Sequence, residues 1–177
     1  MMAVLPIVLY PDPVLLQPTR RVEEITDEIR GLVRDMVDSM YDAPGVGLAA
    51  NQVGAPWRLL VVDLTVGEQP EEVKVLVNPE IKFVEGSQIG EEGCLSFPGI
   101  TLEIERPFRA EVVARDLDGN PVELVGEGLM ARALLHEIEH LDGETFLRNV
   151  SPLKRELTKR QIRKRMKTGD WVAAAAT

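Results

Sequence analysis

The sequence predicts an α+β fold, in which antiparallel sheets pack around one buried central helix that carries a His-Glu-x-x-His motif, with a C-terminal helix after it. Two observations predict this class. The chain presents one amphipathic helix, then a run of short strand-like segments, then two further helices, an order typical of α+β domains. Short turns between consecutive strands also favour antiparallel pairing. A length of 177 residues suits one domain, so we expect residues 1–177 to form it, with 168–177 as a frayed tail.

Residues 25–41 predict the first helix. Thr26 or Asp27 can cap its start, and Pro44 with Gly45 ends it. Its apolar residues recur at the 3.6-residue spacing of an amphipathic helix, namely Ile25, Ile29, Leu32, Val33, Met36, Val37 and Met40. A glycine-containing loop over 45–52 follows.

Six strand-like segments come after this loop. They span 58–63, 73–78, 81–85, 101–105, 110–117 and 122–125. The dipeptide Asp118-Gly119 between the last two segments is a strong signal for a hairpin turn. The middle of the chain therefore predicts antiparallel strands.

Residues 127–141 predict a second helix, and Gly143 suits its C-terminal cap. Its apolar side chains cover most of the helix circumference, so we expect burial on most sides. They are Leu129, Met130, Ala133, Leu134, Leu135, Ile138 and Leu141. A third, basic helix is predicted over 153–167.

Composition excludes several classes of protein. Hydrophobic residues make up 45% and charged residues 28% of the chain, as in a folded globular domain. No segment approaches the roughly 18 apolar residues that a membrane span needs. The start, Met1 to Leu9, lacks basic residues and is interrupted by Pro6, unlike a secretory signal. The lone Cys94 cannot form an intramolecular disulfide, so we expect a cytoplasmic protein.

The net charge of −9 is spread unevenly. Residues 153–177 carry a net charge of +6, and the remainder carries −15. The acidic body argues against DNA binding by the whole surface. The basic helix 153–167 has two interpretations, a solvated salt-bridged face or a docking surface for ribosomal RNA.

The strongest chemical signal is the motif His136-Glu137-Ile138-Glu139-His140, which contains both histidines of the chain. Histidines at i and i+4 lie about 40° apart on one helix face, so both imidazoles can reach one metal ion. Glu137 is rotated by about 100° from His136 and lies beside such an ion, where it can hold or deprotonate a bound water. The competing interpretation, two structural histidines, leaves buried imidazoles in need of partners.

A catalytic metal usually takes three protein ligands and leaves one position for water. With both histidines used, the third ligand is either a carboxylate or Cys94. A divalent cation would deprotonate this thiol in spite of two neighbouring acids. A nucleophilic Cys–His pair is the alternative interpretation of these residues, but it assigns no role to Glu137.

Two other classes are disfavoured by the same residues. A structural zinc site needs a fourth protein ligand, and the chain has no further cysteine or histidine to supply it. Gly45-x-Gly47-x-x-Ala50 superficially matches a dinucleotide-binding loop, but that loop should follow a strand, and here it follows a helix.

Three motifs together resemble the signature motifs of the peptide deformylase family. They stand in the family's order: Gly45-Val46-Gly47-Leu48-Ala49-Ala50-Asn51-Gln52, Glu92-Gly93-Cys94-Leu95-Ser96 and His136-Glu137-Ile138-Glu139-His140. Tyr10-Pro11-Asp12-Pro13 and Ser151-Pro152-Leu153-Lys154-Arg155 are similar to the family as well. The resemblance therefore extends from about residue 7 to residue 165.

This resemblance implies a hydrolase that removes the formyl group from N-formylmethionine at the start of newly made polypeptides and releases formate. By match, the metal ligands are Cys94, His136 and His140. The implied ion is Fe²⁺, with Zn²⁺, Ni²⁺ or Co²⁺ as possible substitutes. Glu137 would be the general acid/base acting on a metal-bound water. Gln52 and the backbone N–H of Leu95 would stabilise the oxyanion.

The resemblance also implies substrate-binding residues and a second partner. The residues that would contact the substrate are Val46, Gly47, Glu92, Gly93, Leu129 and Arg132. Family members act on nascent chains, so the basic helix is implied to dock on the ribosome. The sequence departs from the family's usual residues at Glu139 (Asp), Leu135 (Gln) and Arg132 (apolar). A homologue that only binds peptide N-termini is the last alternative, and intact Glu137 and Gln52 argue against it.

Overall fold

The helices and strands follow the predicted order in the computed structural model, which describes residues 3–174. Within that range the three α-helices are α1 (Asp27–Asp42), α2 (Leu129–Leu141) and α3 (Pro152–Thr168). The seven strands of the same range are β1 (Gly47–Ala49), β2 (Leu59–Val62), β3 (Lys74–Glu85), β4 (Gln88–Gly93), β5 (Thr101–Arg106), β6 (Arg109–Arg115) and β7 (Pro121–Glu127). The predicted α+β class with a C-terminal helix is confirmed.

The strands form two antiparallel sheets. The larger has the order β1-β2-β3-β6-β7, and the smaller pairs β4 with β5. The hairpin between β6 and β7 turns at the predicted Asp118-Gly119, where Gly119 has a φ of +83°. The carboxylate of Asp116 accepts the backbone N–H groups of Asp118 and Asn120, which closes this turn. The edges of the larger sheet are β1 and β7.

Strand β2 separates two parts of the hydrophobic core. Successive side chains of a strand point to opposite faces of the sheet. Leu59 and Val61 therefore pack with the core cluster beneath α1, whereas Leu60 and Val62 pack with the cluster beneath α2. All four residues are fully buried, so α1 and α2 cover the two faces of the sheet at this strand.

Helix α2 is the buried central helix that the sequence predicts. Ten of its 13 residues are buried, on more than one face. Leu134 and Ile138 pack against the larger sheet, while His136 meets the ring of Phe146 on the other side, with ring centroids 5.6 Å apart. The helix begins at Leu129, after Gly128 with its φ of +59°. Its polar motif is thereby held inside the domain.

The structure differs from the sequence-based expectation in the strands. The segments 73–78 and 81–85 form one long strand, β3, whose register with β6 shifts near Asn78, a residue with a φ of +53°. The predicted gap at 79–80 is an irregularity of register within this strand. Strands β1 and β4 were not predicted, because their glycines are typical of loops.

Trp171 packs against the domain beyond the end of α3. Trp171, inside the predicted tail 168–177, packs with the aromatic core cluster that contains Phe97 and Phe146. Residues 175–177 lie outside the described residues, so the domain bounds and the tail stay predictions. Among residues 3–174, none of the helices is long and apolar enough to cross a membrane.

Candidate metal centre and active site

One cavity of about 560 Å³ gathers most of the predicted site residues. It lies between the loop before β1, the end of β4 with the turn that follows it, and the start of α2. Eleven of the twelve predicted residues line it, namely Val46, Gly47, Gln52, Glu92, Gly93, Cys94, Leu95, Leu129, Arg132, His136 and Glu137. The twelfth, His140, contacts Cys94.

The three predicted metal ligands come together. One potential ligand atom each from Cys94, His136 and His140 lies within 4.8 Å of the other two. Cys94 Sγ lies 3.2 Å from His140 Nε2. Both histidines are buried and the cysteine is half-buried. Helical spacing brings the two imidazoles to one face of α2, and the turn after β4 brings the thiol to them.

Glu92 fixes the orientation of His136. Its Oε1 accepts the Nδ1–H of His136 at 2.8 Å, which turns Nε2 of the ring toward the thiol. The same carboxylate accepts two hydrogen bonds from Arg106, at 2.7 and 2.8 Å, and one from Arg132 at 2.6 Å. Burial raises the pKa of Glu92, but the bonds from Arg106 and His136 outweigh it and lower the pKa to about 2. Glu92 is therefore an anion that holds a ligand ring in place.

Gln52 points its amide at the thiol. The residue belongs to the short 3-10 turn Ala50–Val53, and its Oε1 accepts the backbone N–H of Ala49 at 3.0 Å. Its Nε2 lies 3.2 Å from Ser96 Oγ and 3.7 Å from Cys94 Sγ. Because these contacts fix the amide orientation, an N–H donor faces the cavity beside the candidate ligands.

Glu137 is buried beside the ligands, and its fit depends on Gly47. A Cβ on Gly47 would lie 3.0 Å from both Cγ and Oε1 of Glu137, so any side chain at position 47 would press against this carboxylate. Burial raises the pKa of Glu137 to about 7, although neighbouring His136 opposes the shift. Its Oε2 has no hydrogen-bond partner among residues 3–174. A buried carboxylate poised near neutrality can take up and release a proton.

Gly47 also offers its backbone to the cavity. The N–H of Asp63 in the neighbouring strand donates to the carbonyl of Val46 at 2.8 Å, and Gly47 is the next residue in this register. In an antiparallel pair, alternate residues direct their N–H and C=O groups away from the partner strand. Gly47 therefore presents these groups at the free edge of β1, which borders the cavity.

The charges around the ligands suit a cation. Burial and the charge of His136 hold the pKa of His140 well below its ordinary value, so this imidazole is neutral, as a metal ligand must be. For His136, burial lowers the pKa, but the neighbouring Cys94 and Glu92 outweigh it and raise the pKa to about 10. Anions that draw a proton onto a buried ring would equally draw a divalent ion. The residues therefore fit a metal.

Arg132 and Glu139, which differ from the family's usual residues, both form hydrogen bonds in this site. The guanidinium of Arg132 bonds Glu92 and the carbonyls of Gly90 and Ile104, so its charge is paired. Glu139 accepts hydrogen bonds from Arg106 and from Asn149. The longer Glu139 side chain therefore binds the same arginine that holds Glu92.

Sequence reasoning missed Arg106 and Asn51. Arg106 stands at an inward position of β5, in register with Leu102 and Ile104, and this alternation was the signal that could have found it. Asn51 is fully buried, and its Nδ2 donates to the carbonyl of His140 at 2.5 Å. Nothing in its local sequence pattern points to a partner 89 residues away.

An α+β fold in which two histidines and one cysteine converge beside a buried carboxylate has the arrangement that metal-dependent hydrolases use. Comparison with known proteins narrows the class. The family model described as "Polypeptide deformylase" matches residues 4–156. The chain belongs to the peptide deformylase family of enzymes, which remove the N-formyl group from an N-terminal methionine.

Relatives agree over nearly the whole chain. A peptide deformylase of Acidobacterium capsulatum is 51% identical over 170 residues, covering 96% of this chain and all of that protein. The crystal structure of a peptide deformylase from Legionella pneumophila has a TM-score of 0.87 and 41% identity, covering 94% of this chain and 98% of that one. The enzyme from Synechococcus elongatus in complex with actinonin has a TM-score of 0.85 and 40% identity, covering 92% and 88%. The family resemblance seen in the sequence is confirmed.

Proposed function

We propose that this chain removes the formyl group from N-formylmethionyl peptides with one divalent metal ion, natively Fe²⁺, held by Cys94, His136 and His140. The single observation that carries the proposal is the convergence of these three side chains within 4.8 Å, beside the buried carboxylate of Glu137. A divalent ion in this position would polarise a water molecule and the formyl carbonyl.

Glu137 is the general acid/base of the proposal. Its carboxylate would take a proton from the attacking water and pass it to the amine that leaves. The pKa of about 7 that burial gives this group suits both directions of transfer at neutral pH. Gly47, which leaves room for the carboxylate, keeps it next to the ligands.

Two donors would stabilise the oxyanion that forms on the formyl group. Gln52 Nε2 points into the cavity beside Cys94 Sγ, and Leu95, whose backbone N–H would be the second donor, lines the same cavity. Donors fixed before the reaction stabilise developing charge without reorganising during it. The contacts of Gln52 with Ala49 and Ser96 support this role, because they hold its amide in one orientation.

The peptide would lie along the free edge of β1. The backbone of Gly47 supplies hydrogen bonds there, while Val46 and Gly93 border the same cavity. The methionine side chain would enter the apolar part of the cavity, near Leu129. Glu92 neutralises Arg132, so this arginine can line the cavity without repelling an apolar side chain.

The identity of the ion is a separate part of the proposal. One thiolate and two imidazoles accept Fe²⁺, Zn²⁺, Ni²⁺ and Co²⁺, so the choice of Fe²⁺ rests on the family. A ligand thiol must stay reduced, which supports a cytoplasmic location. Metal analysis after anaerobic purification tests the choice, and zinc in place of iron with full activity would contradict it.

Formate release from a formyl-Met peptide is the central test of the activity. The variant Glu137→Gln should keep its metal and lose activity by a factor of about 10²–10⁴, the usual contribution of a general acid/base. Glu144→Gln, which changes an exposed carboxylate, is the matched control and should retain activity. Activity retained by Glu137→Gln would refute the assigned role.

The basic helix α3 is proposed to bring the enzyme to the ribosome. Its exposed basic residues include Arg160, Lys164 and Lys167, and Leu153 is 71% exposed at its start. Phosphate contacts weaken with salt, so co-sedimentation with ribosomes should fall steeply as salt rises. Replacing the three basic residues with glutamine should abolish it, and equal binding by this variant at low salt would contradict the proposal.

A further inference from the structure

The chain after α3 returns to the active-site cavity. Trp171 Nε1 donates a hydrogen bond to the carbonyl of Tyr10 at 2.7 Å, and its ring meets Phe97 edge-on, with centroids 6.3 Å apart. Ala174, three residues further, lines the cavity itself. Residues 97–101, which we call the wall segment, form the side of the cavity that this part of the chain covers.

Arg165, in the last turn of α3, joins the wall segment to Trp171. Its Nη1 donates to the carbonyl of Pro98 at 2.6 Å, and its Nη2 donates to the carbonyl of Asp170 at 3.1 Å. The guanidinium carbon lies 5.1 Å from the centre of the Trp171 ring. A Cβ on Gly99 would lie 3.0 Å from Nη1, so the guanidinium packs directly on the wall backbone.

The wall segment is continuous with the support of the candidate ligands. Phe97 stacks on Tyr10 with centroids 4.8 Å apart and meets Phe146 edge-on at 4.9 Å. The Phe146 ring in turn contacts His136. Trp171 and Arg165 therefore close the outer side of an aromatic cluster whose inner side reaches the metal centre.

We propose that Arg165 and Trp171 are positioning residues that hold the wall segment and thereby set the affinity for the peptide substrate. This inference rests on the proposed function. Neither residue is among the partners that fix the reacting groups, since His136 is oriented by Glu92 and Gln52 by Ala49 and Ser96. A looser wall should therefore weaken substrate binding and leave the chemical step unchanged, which raises KM at constant kcat.

Arginine and tryptophan suit this task. A planar guanidinium can bond two carbonyls and stack on a ring at once, which a lysine ammonium cannot do. The indole combines a large apolar face with one N–H donor, so it packs on Phe97 while bonding Tyr10. Phenylalanine at position 171 would keep the packing and lose only the hydrogen bond.

The test compares steady-state kinetics of Arg165→Ala, Trp171→Ala and Trp171→Phe in the metal-loaded full chain with a formyl-Met tripeptide. One lost hydrogen bond corresponds to a factor of about 2–13, so each alanine variant should raise KM about 3- to 10-fold with kcat within about twofold. Trp171→Phe loses this hydrogen bond but keeps the packing, so its KM should rise by about 2-fold, the lower end of that range, and less than in Trp171→Ala. Gln161→Ala, an exposed neighbour on the same helix, is the control and should match the wild type.

Hydrogen exchange supplies a readout that does not need activity. Amides of residues 95–105 should exchange faster in both alanine variants, while those of the buried strand β2 stay protected. Unchanged KM in both variants of an active enzyme would overturn the inference, and so would a fall in kcat at constant KM. If the wild-type protein released no formate, the proposed function would be refuted instead. Hydrogen exchange would in that case still show whether Arg165 and Trp171 hold the wall segment. If Trp171→Ala failed to fold, the KM values of Arg165→Ala and Trp171→Phe would test the inference in its place.

Discussion

Replacing Glu92 with alanine is expected to destabilise the fold and weaken metal binding together. The carboxylate is buried and accepts hydrogen bonds from two guanidinium groups and one imidazole. Its removal leaves the charges of Arg106 and Arg132 buried with less compensation. Breaking a buried ion pair by removing one partner usually costs about 3–5 kcal/mol.

The pKa of Glu92 gives an independent magnitude. The pKa of Glu92 falls from its ordinary value of 4.5 to about 2 in the folded protein. At about 1.36 kcal/mol for each pKa unit, its ionised form stabilises the fold by about 3 kcal/mol at neutral pH. Because the folded pKa is depressed, this contribution is present above about pH 4.5 and is lost as the pH falls toward 2.

Urea unfolding and metal release measure the two effects. Glu92→Ala should lower the free energy of unfolding by about 3–5 kcal/mol. Loss of the group that orients His136 should also weaken metal affinity by about 10–100-fold. Glu91→Ala, which changes an exposed neighbouring carboxylate, should change neither quantity much. The reasoning is refuted if Glu92→Ala loses less than about 1 kcal/mol and binds metal as tightly as the wild type.

Three further substitutions test other contacts. Gly47→Ala should displace the Glu137 carboxylate and lower kcat at least tenfold, measured by formate release, because its Cβ would lie 3.0 Å from that side chain. Burial raises the pKa of Asp63, but its hydrogen bonds outweigh this and lower it, so the wild type should lose stability below about pH 4. Asp63→Asn should be less stable at pH 7 and lack this acid dependence in thermal unfolding. Glu139→Asp should shorten the reach to Arg106 and cost about 1 kcal/mol in urea unfolding, with kcat nearly unchanged.

Each of these three substitutions has a control variant and an outcome that would contradict the prediction. Gly31→Ala, on the surface of α1, should leave kcat unchanged, and equal kcat in Gly47→Ala would contradict the steric argument. Asp118→Asn, in an exposed turn, is the control for Asp63, and identical acid profiles of Asp63→Asn and the wild type would refute that prediction. A Glu139→Asp variant as stable as the wild type would show that the longer side chain is unnecessary.

Local sequence patterns were enough to predict most of the fold. The 3.6-residue spacing in 25–41 predicted α1 to within two residues of its observed start and one of its end. Strand β1 was not predicted because its Gly47 resembles a loop residue. The convergence of Cys94 with the histidine pair followed from the family motifs, since no spacing relates residues 42 and 46 positions apart.

The contacts that could not be predicted from the sequence pair residues that lie far apart along the chain. Glu92 was expected to contact substrate, and that assignment stays a prediction. Its bonds to Arg106 and Arg132 join β4 to β5 and α2, and such pairing depends on the tertiary arrangement of three elements. Trp171 fell within the predicted tail because a short polar and alanine-rich end carries no periodic signal. Its partners, Tyr10 and Phe97, lie 161 and 74 positions away in the sequence.

The charges buried around the candidate metal centre suit the divalent ion that we propose. Four groups are anionic there when a metal is bound: the thiolate of Cys94 and the carboxylates of Glu92, Glu137 and Glu139. Two guanidinium groups, from Arg106 and Arg132, oppose them and leave a net charge of −2. A divalent cation would balance this charge, and its own positive charge would favour the ionised carboxylate of Glu137 over the protonated form that burial favours. The same ion that ligates the histidines would therefore release the Glu137 carboxylate as a base, so metal binding and the protonation state needed for catalysis are coupled through one balance of charge.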